Sequence, residues 1–188
     1  MSIASAIILS RNTNNSRIDS ETRRMNMSRN ILHMFLVSGI LLAGTGMAVS
    51  GEPSVVKVTL ADMGSDHMAT DMGLGNPSAN RSKATLKITA SPAIVAAGEV
   101  TFSVHNASKS MIHEMVVAKL VDPDAALAYD KSTGKLDEET VASLGEVPEL
   151  DPGNAGSLNL KLGPGTYILF CNIPGHYMGG MWSLVTVK

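Results

Sequence analysis

Residues 157–187 constrain this chain more tightly than any other stretch. Ser157-Leu-Asn-Leu-Lys-Leu162 alternates strictly, placing three leucines on one side, and Gly163-Pro-Gly165 turns the chain into Thr166-Tyr-Ile-Leu-Phe-Cys171. A last alternating run, Trp182-Ser-Leu-Val-Thr-Val187, closes the chain. A period of two broken by Gly and Pro is the signature of short, half-buried strands that fold back on one another. The same pattern recurs upstream. Leu86 and Ile88 share a face in Ala84–Ala90, Val100, Phe102 and Val104 share one in Val100–Val104, and Met115–Val121 is an apolar run. Val55–Leu60, rich in β-branched residues, reads as a first strand. No internal repeat appears, so the expected fold is all-β, an antiparallel sandwich with Greek-key connections.

Two segments interrupt this pattern. Residues 62–83 are rich in Gly, Ser, Asn, Asp and Met without an apolar period, and read as a loop or flexible segment. Residues 122–145 read as a short helical excursion. Asp122 caps a start with Pro123 at the first helical position, and Asp137-Glu-Glu-Thr places acids in a first turn that ends at Gly145. The chain therefore divides into residues 1–50, residues 51–83 with the first strand and the Met/Gly-rich segment, and a domain over residues 84–188.

Residues 31–49 are apolar and follow Arg23, Arg24 and Arg29, the layout of a secretory signal with small residues before Gly51. The polar n-region is long, so Met25 and Met27 are alternative starts. An uncleaved anchor is the competing reading, because the apolar stretch is just long enough to span a bilayer; His33 and several glycines and serines weaken it. Without residues 1–50 the chain carries a net charge of about −5. No clustered positive charge marks a nucleic-acid surface. The expected location is periplasmic or otherwise exported, an oxidising setting in which one unpaired thiol is unusual unless it is buried or held by a metal.

That thiol is Cys171, the single cysteine. It opens the loop Cys171-Asn-Ile-Pro-Gly-His176-Tyr-Met-Gly-Gly-Met181, in which four residues separate Cys from His and four separate His from Met. Pro174-Gly175 favours a bend that lets the three side chains converge. The strands on either side pin the loop, so its donors lose little freedom on meeting a metal. A thiolate, an imidazole and a thioether, joined by a second imidazole from another strand, form the donor set of a mononuclear blue-copper site. His113, where a loop after Asn106 becomes a strand, supplies that second ring. Zinc accepts Cys and His as well, but structural zinc sites favour two or more Cys, and Met is a poor zinc ligand. Copper is the metal expected.

With these residues in view, the chain resembles the cupredoxin family, the plastocyanin, azurin and rusticyanin type of blue-copper domain, over residues 84–188. The resemblance rests on the strand, Asn106 and His113 segment and on Gly165-Thr-Tyr-Ile-Leu-Phe-Cys171-Asn-Ile-Pro-Gly-His176 through Met181. It implies one type 1 copper ion near one end of a β-sandwich, held by His113, Cys171 and His176 with Met181 axial; the family's loop spacing favours Met181 over Met178. It also implies a non-enzymatic, monomeric carrier of single electrons that meets redox proteins transiently. Many family members follow the first His with Asn, whereas Glu114 stands here, which puts the tuning of the reduction potential in question.

Other readings stay open beside this one. Met63, His67, Met68 and Met72 form a loose thioether and imidazole cluster that could take Cu(I), the alternative being a copper-handling protein that buffers or delivers the ion. The acids Asp137, Glu138 and Glu139 read as a solvated first turn, with docking of a basic partner a weaker alternative. Trp182 reads as core and His105 as surface. A copper oxidase or reductase is disfavoured, since it needs a second copper type and more histidines than the exported part holds.

Overall fold

The structure, a computed structural model, describes residues 52–63 and 68–188. The expected signal or anchor and His67 lie outside the described residues. Among the described residues eleven strands follow in chain order: β1 (Ser54–Asp62), β2 (Leu86–Ser91), β3 (Ile94–Val95), β4 (Gly98–Asn106), β5 (His113–Leu120), β6 (Tyr129–Asp130), β7 (Lys135–Leu136), β8 (Ser143–Leu150), β9 (Ala155–Leu162), β10 (Gly165–Phe170) and β11 (Trp182–Val187). One sheet runs β2-β1-β4-β9, a second runs β3-β11-β10-β5-β8, and β6 and β7 form a separate hairpin.

The sheets face each other across a core of alternating side chains. Val56, Val58 and Leu60 of β1, Val100, Phe102 and Val104 of β4, and Leu86 and Ile88 of β2 meet Met115, Val117, Tyr167, Leu169, Val185 and Val187 of the other sheet. All are buried, and each such side chain contributes about 1.5–3 kcal/mol relative to exposure. The inward faces of β2 and β4 are those the alternation predicts, and His105 is exposed.

The sandwich is mixed, not purely antiparallel. β1 runs parallel to β4, with Val56 beside Phe102 and Leu60 beside Asn106, and β3 runs parallel to β11. Alternation fixes which residues point inward but leaves strand direction free. Parallel neighbours require a long connection, and 35 residues separate Asp62 at the end of β1 from Gly98 at the start of β4.

Neither expected helix forms; among the described residues the only helical segment is the 3-10 turn Arg81–Lys83. The capping contacts exist but do not propagate. Asp122 Oδ1 accepts from Asp124 N at 2.9 Å, and Asp137 Oδ1 accepts from Glu139 N and Thr140 N. After one turn Ala142 adopts a φ of 52°, and the chain leaves as β8, where Val147 enters the core opposite Met115. Sheet pairing outweighs a four-residue propensity for helix.

The second sheet is buried on its outer face too. Val116, Ala118, Leu120, Ile168, Phe170 and Trp182 point away from the first sheet and are covered by Leu74, Leu136, Val141 and Tyr177. The cover comes from the two segments without regular pattern, the loop before β2 and the excursion between β5 and β8. Both therefore bear on the loop that joins β10 to β11.

Candidate metal centre

The backbone brings His113, Cys171 and His176 together, although the first is remote from the others in sequence. β10 pairs with β5 such that Phe170 lies opposite Val116, so Cys171 at the end of β10 arrives beside the start of β5. One candidate ligand atom from each of the three residues lies within 4.8 Å of the others, and all three residues are buried. His113 Nδ1 is 3.3 Å from His176 Nδ1, and Cys171 Sγ is 3.3 Å from the same nitrogen.

Met181 closes the loop. Cys171 N donates to Met181 O at 3.1 Å and Met181 N donates to His176 O at 3.0 Å. Its side chain is fully buried and belongs to the same inter-sheet cluster as Cys171. Met178 packs on the opposite side, in the outer cluster with Tyr177 and Trp182. The two methionines thus face different layers, and Met181 shares the layer of the thiol.

The loop's bends depend on glycine. Gly180 has a φ of +97°, and a Cβ there would stand 2.7 Å from Ala84 Cβ and 3.3 Å from Met72 Cβ. A side chain at this position would be strained and would push the loop off its cover.

Burial sets the electrostatics. Desolvation pushes the Cys171 thiol up to about 12, against weaker opposing help from the backbone N–H groups of Glu114 and Ile173. A thiolate at neutral pH therefore needs a cation beside it, as a metal supplies. Desolvation, then the neighbouring His113, brings His176 down to about 4. His113 is lowered by desolvation, with Asp62 opposing. Both rings are thus neutral at pH 7 and able to offer a lone pair. Two neutral imidazoles and a sulfur that ionises only against a cation, in a buried and closely spaced group, fit a copper ion that alternates between cuprous and cupric states.

Glu114 and Asn172 hold this group through contacts that no local sequence pattern specifies. Glu114 N points at Cys171 Sγ at 3.5 Å, and the Glu114 carboxylate accepts from Asn172 N at 2.9 Å. The carboxylate thereby ties the two ligand segments together by accepting. Asn172 in turn accepts from Leu136 N at 2.7 Å and donates to Leu136 O and Glu138 Oε1. The hairpin β6–β7 is thereby fixed to the residue after the thiol, and Glu138 of the acidic run faces the site's support as well as solvent.

The loop before β2 acts as a strap. Leu74 N donates to Tyr177 Oη at 2.9 Å, Trp182 Nε1 to Met72 O at 2.7 Å, and Met72 N to Met178 O at 2.9 Å. Arg81 donates to Gly180 O and Trp182 O, on either side of Met181, and its guanidinium lies 3.5 Å from the Trp182 ring centroid. Of the Met/His cluster, Met72 is part of the strap, Met68 lies against Gly175, and Met63 is exposed.

Asn106 shapes the loop before His113. Fully buried, it donates to Met111 O and Leu150 O and accepts from Ser108 N.

The sequence pattern of the family described as copper binding proteins, plastocyanin/azurin family, matches residues 78–188, more than half of the chain. Among solved structures, dithionite-reduced auracyanin from Roseiflexus castenholzii is 18% identical, with 73% of this chain and 99% of that one covered and a TM-score of 0.44. Rusticyanin from Thiobacillus ferrooxidans is also 18% identical, covering 74% of this chain and 79% of that one, with a TM-score of 0.47. Auracyanin A from Chloroflexus aurantiacus, a "blue" copper protein, gives 18%, 73%, 100% and 0.46 for the same quantities. No curated protein sequence matches the chain. The family pattern spans both ligand-bearing segments and the strands between them, and on that ground the chain belongs to the plastocyanin/azurin family of copper-binding proteins, which are in general carriers of electrons.

Proposed function

We propose that this protein is an exported, monomeric carrier of single electrons, with one type 1 copper held by His113, Cys171 and His176 and with Met181 axial. The observation that carries this reading is the burial of the three closely spaced donors in the seam between β5, β10 and the β10–β11 loop. Bound copper would supply the one-electron couple. The chain supplies fixed ligands: β5 pairs with β10 from Leu120 to Val116, its first residue His113 pairs with Leu150 of β8, and Cys171 directly follows the paired β10, so each donor leaves from a strand held in the sheet. Burial excludes water, and the Glu114 N–H aimed at Sγ favours the sulfur's negative charge.

His176 is the proposed route for electrons. It lines an open crevice of about 360 Å³ with Ser110, Met111, Ile112, Glu149 and Ile173, and Ile112 is exposed. A small, largely apolar opening beside a ligand suits brief contacts with redox partners. Export rests on the sequence of residues 1–50. Mass measurement of the protein recovered from the producing cells should give a mature start near Gly51.

The test of copper ligation is reconstitution with cupric ion. The wild-type protein should show an intense visible thiolate-to-copper band at one copper per chain, and Cys171→Ser should abolish it. A colourless wild type, or an unchanged Cys171→Ser spectrum, would sink the reading.

A copper-handling role is the second reading, supported by Met63 and Met68, both exposed. Substituting Met63, Met68 and His67 together leaves the strap's Met72 intact. A fall in Cu(I) stoichiometry with the visible band retained would favour this role, and unchanged stoichiometry would favour the carrier.

A further inference from the structure

His113 has two ring nitrogens, and the geometry gives them different tasks. Nδ1 is turned toward His176 and Cys171, at 3.3 Å from His176 Nδ1. Nε2 is buried on the far side of the ring and faces Asp62 Oδ2 at 3.6 Å, with the His113 side chain fully buried and that of Asp62 only 6% exposed. If Nδ1 holds a metal, a neutral ring must carry its proton on Nε2. That proton points at a carboxylate.

The fold places Asp62 there deliberately. β1 lies before residue 78, outside the stretch that the family pattern covers. Leu60 pairs with Asn106, and Ala107 N donates to Leu60 O at 2.8 Å. The end of β1 is thereby fastened beneath the loop that leads into His113. On the other side Asp62 pairs with Leu86 of β2, and Met63 N donates to Thr85 O at 2.9 Å. The backbone at Asp62 is held by two strands, and its Oδ2 lies 3.6 Å from Nε2, just beyond hydrogen-bond distance. An Nε2–H left in this buried position without an acceptor would cost about 1–3 kcal/mol.

We propose that Asp62 is a positioning residue for the metal centre: its carboxylate receives the Nε2 proton of His113, fixes the tautomer that leaves Nδ1 free for copper, and favours the cupric state. A carboxylate behind a ligating imidazole raises the ring's basicity and orients it, and its negative charge stabilises the more positive oxidation state. This inference rests on His113 being a ligand.

The test uses Asp62→Asn, which keeps the volume and removes the charge, and Asp62→Ala, which also removes the acceptor. Cupric and cuprous affinities are measured by chelator competition, and the reduction potential by voltammetry. Loss of such a partner lowers metal affinity by about 10–100-fold, and the loss should be greater for the cupric than for the cuprous ion. Each tenfold loss of cupric over cuprous preference raises the potential by about 59 mV. In the metal-free protein, nitrogen NMR should show His113 protonated at Nε2 in the wild type and a mixture of tautomers in Asp62→Ala. If Asp62→Ala fails to fold, Asp62→Asn carries the test. Unchanged potential and tautomer in a folded variant would overturn the proposal. His113→Ala separates it from the ligand assignment: a visible band that survives His113→Ala refutes ligation itself, whereas a band lost there with a potential indifferent to Asp62 refutes only the role of Asp62.

Discussion

Glu114 shows how one side chain serves the site without touching an electron. Its carboxylate is buried between the ligand segments and held above the usual carboxylate range, by desolvation first, with the Asn172 N–H opposing. Removing it would strand that N–H, a loss of about 1–3 kcal/mol. Glu114→Ala should therefore lower the unfolding free energy read from denaturant titration by that amount, while Glu114→Gln, which keeps an accepting oxygen, should stay near wild type. The paired methionines give a sharper test of the axial position. Met181 lies in the layer of Cys171 and Met178 in the outer cluster, so Met181→Leu should keep the visible band but raise the reduction potential, because a donor to the cupric state is lost. Met178→Leu should leave the potential where it is; voltammetry of both variants decides. The candidate donors Cys171, His176 and Met181 were legible in the sequence, because they occupy one loop whose spacing is local, and the structure gathers the first two with His113. Glu114 was visible only as a departure from the family pattern and Asp62 not at all, since the role of each depends on which strands become neighbours.

At the level of elements, the division between what was legible and what was not follows the range of the interaction. The inward faces of β2, β4 and β9 follow from alternation, which each residue and its near neighbours determine. The parallel placement of β1 beside β4 does not, because alternation reads the same in both directions. The excursion after β5 misleads for a related reason: Asp122 and Asp137 make their capping contacts, but whether a turn becomes a helix is decided by tertiary packing, here by Val147 entering the core. The strap is the clearest case. Its bonds join residues about a hundred positions apart, such as Arg81 to Trp182 and Leu74 to Tyr177, so no local period betrays them. Arg81→Ala should release the carbonyls of Gly180 and Trp182 and the stacking on the indole, and amide exchange should quicken across residues 177–182 ahead of the β5 and β10 amides. Equal protection throughout would mean that the strap does not hold the loop. Gly180→Ala, strained by the backbone and crowded by Ala84, should disturb the same stretch.

At the scale of the whole molecule, the pH profile of the metal-free protein gathers these local effects into one curve. His176 sits at about 4 when folded and near its ordinary 6.5 when unfolded. Between those values the unfolded chain binds a proton that the folded one refuses, so stability falls as pH drops from about 6.5 toward about 4. His113, lowered by the same burial, adds to the fall. Glu114 works against it, because a carboxyl raised in the folded state takes its proton before the unfolded one does. At the alkaline end the sign reverses for the thiol. Cys171, held at about 12, keeps its proton while the unfolded chain loses one near 8.5, so stability also declines as pH rises above about 9. Metal-free protein should therefore be most stable between about pH 6.5 and 9, with denaturation midpoints falling on both sides. Copper changes the balance by holding the thiolate and both imidazoles in their ligand forms. Metal binding holds the His176 ring unprotonated beyond its metal-free range, so the loaded protein should keep its visible band through pH 6.5 and bleach only below about pH 4. Stopped denaturation series with and without copper, read beside the band, test both halves. Bleaching centred near 6.5 would mean that the ring is solvated and that burial does not protect the site.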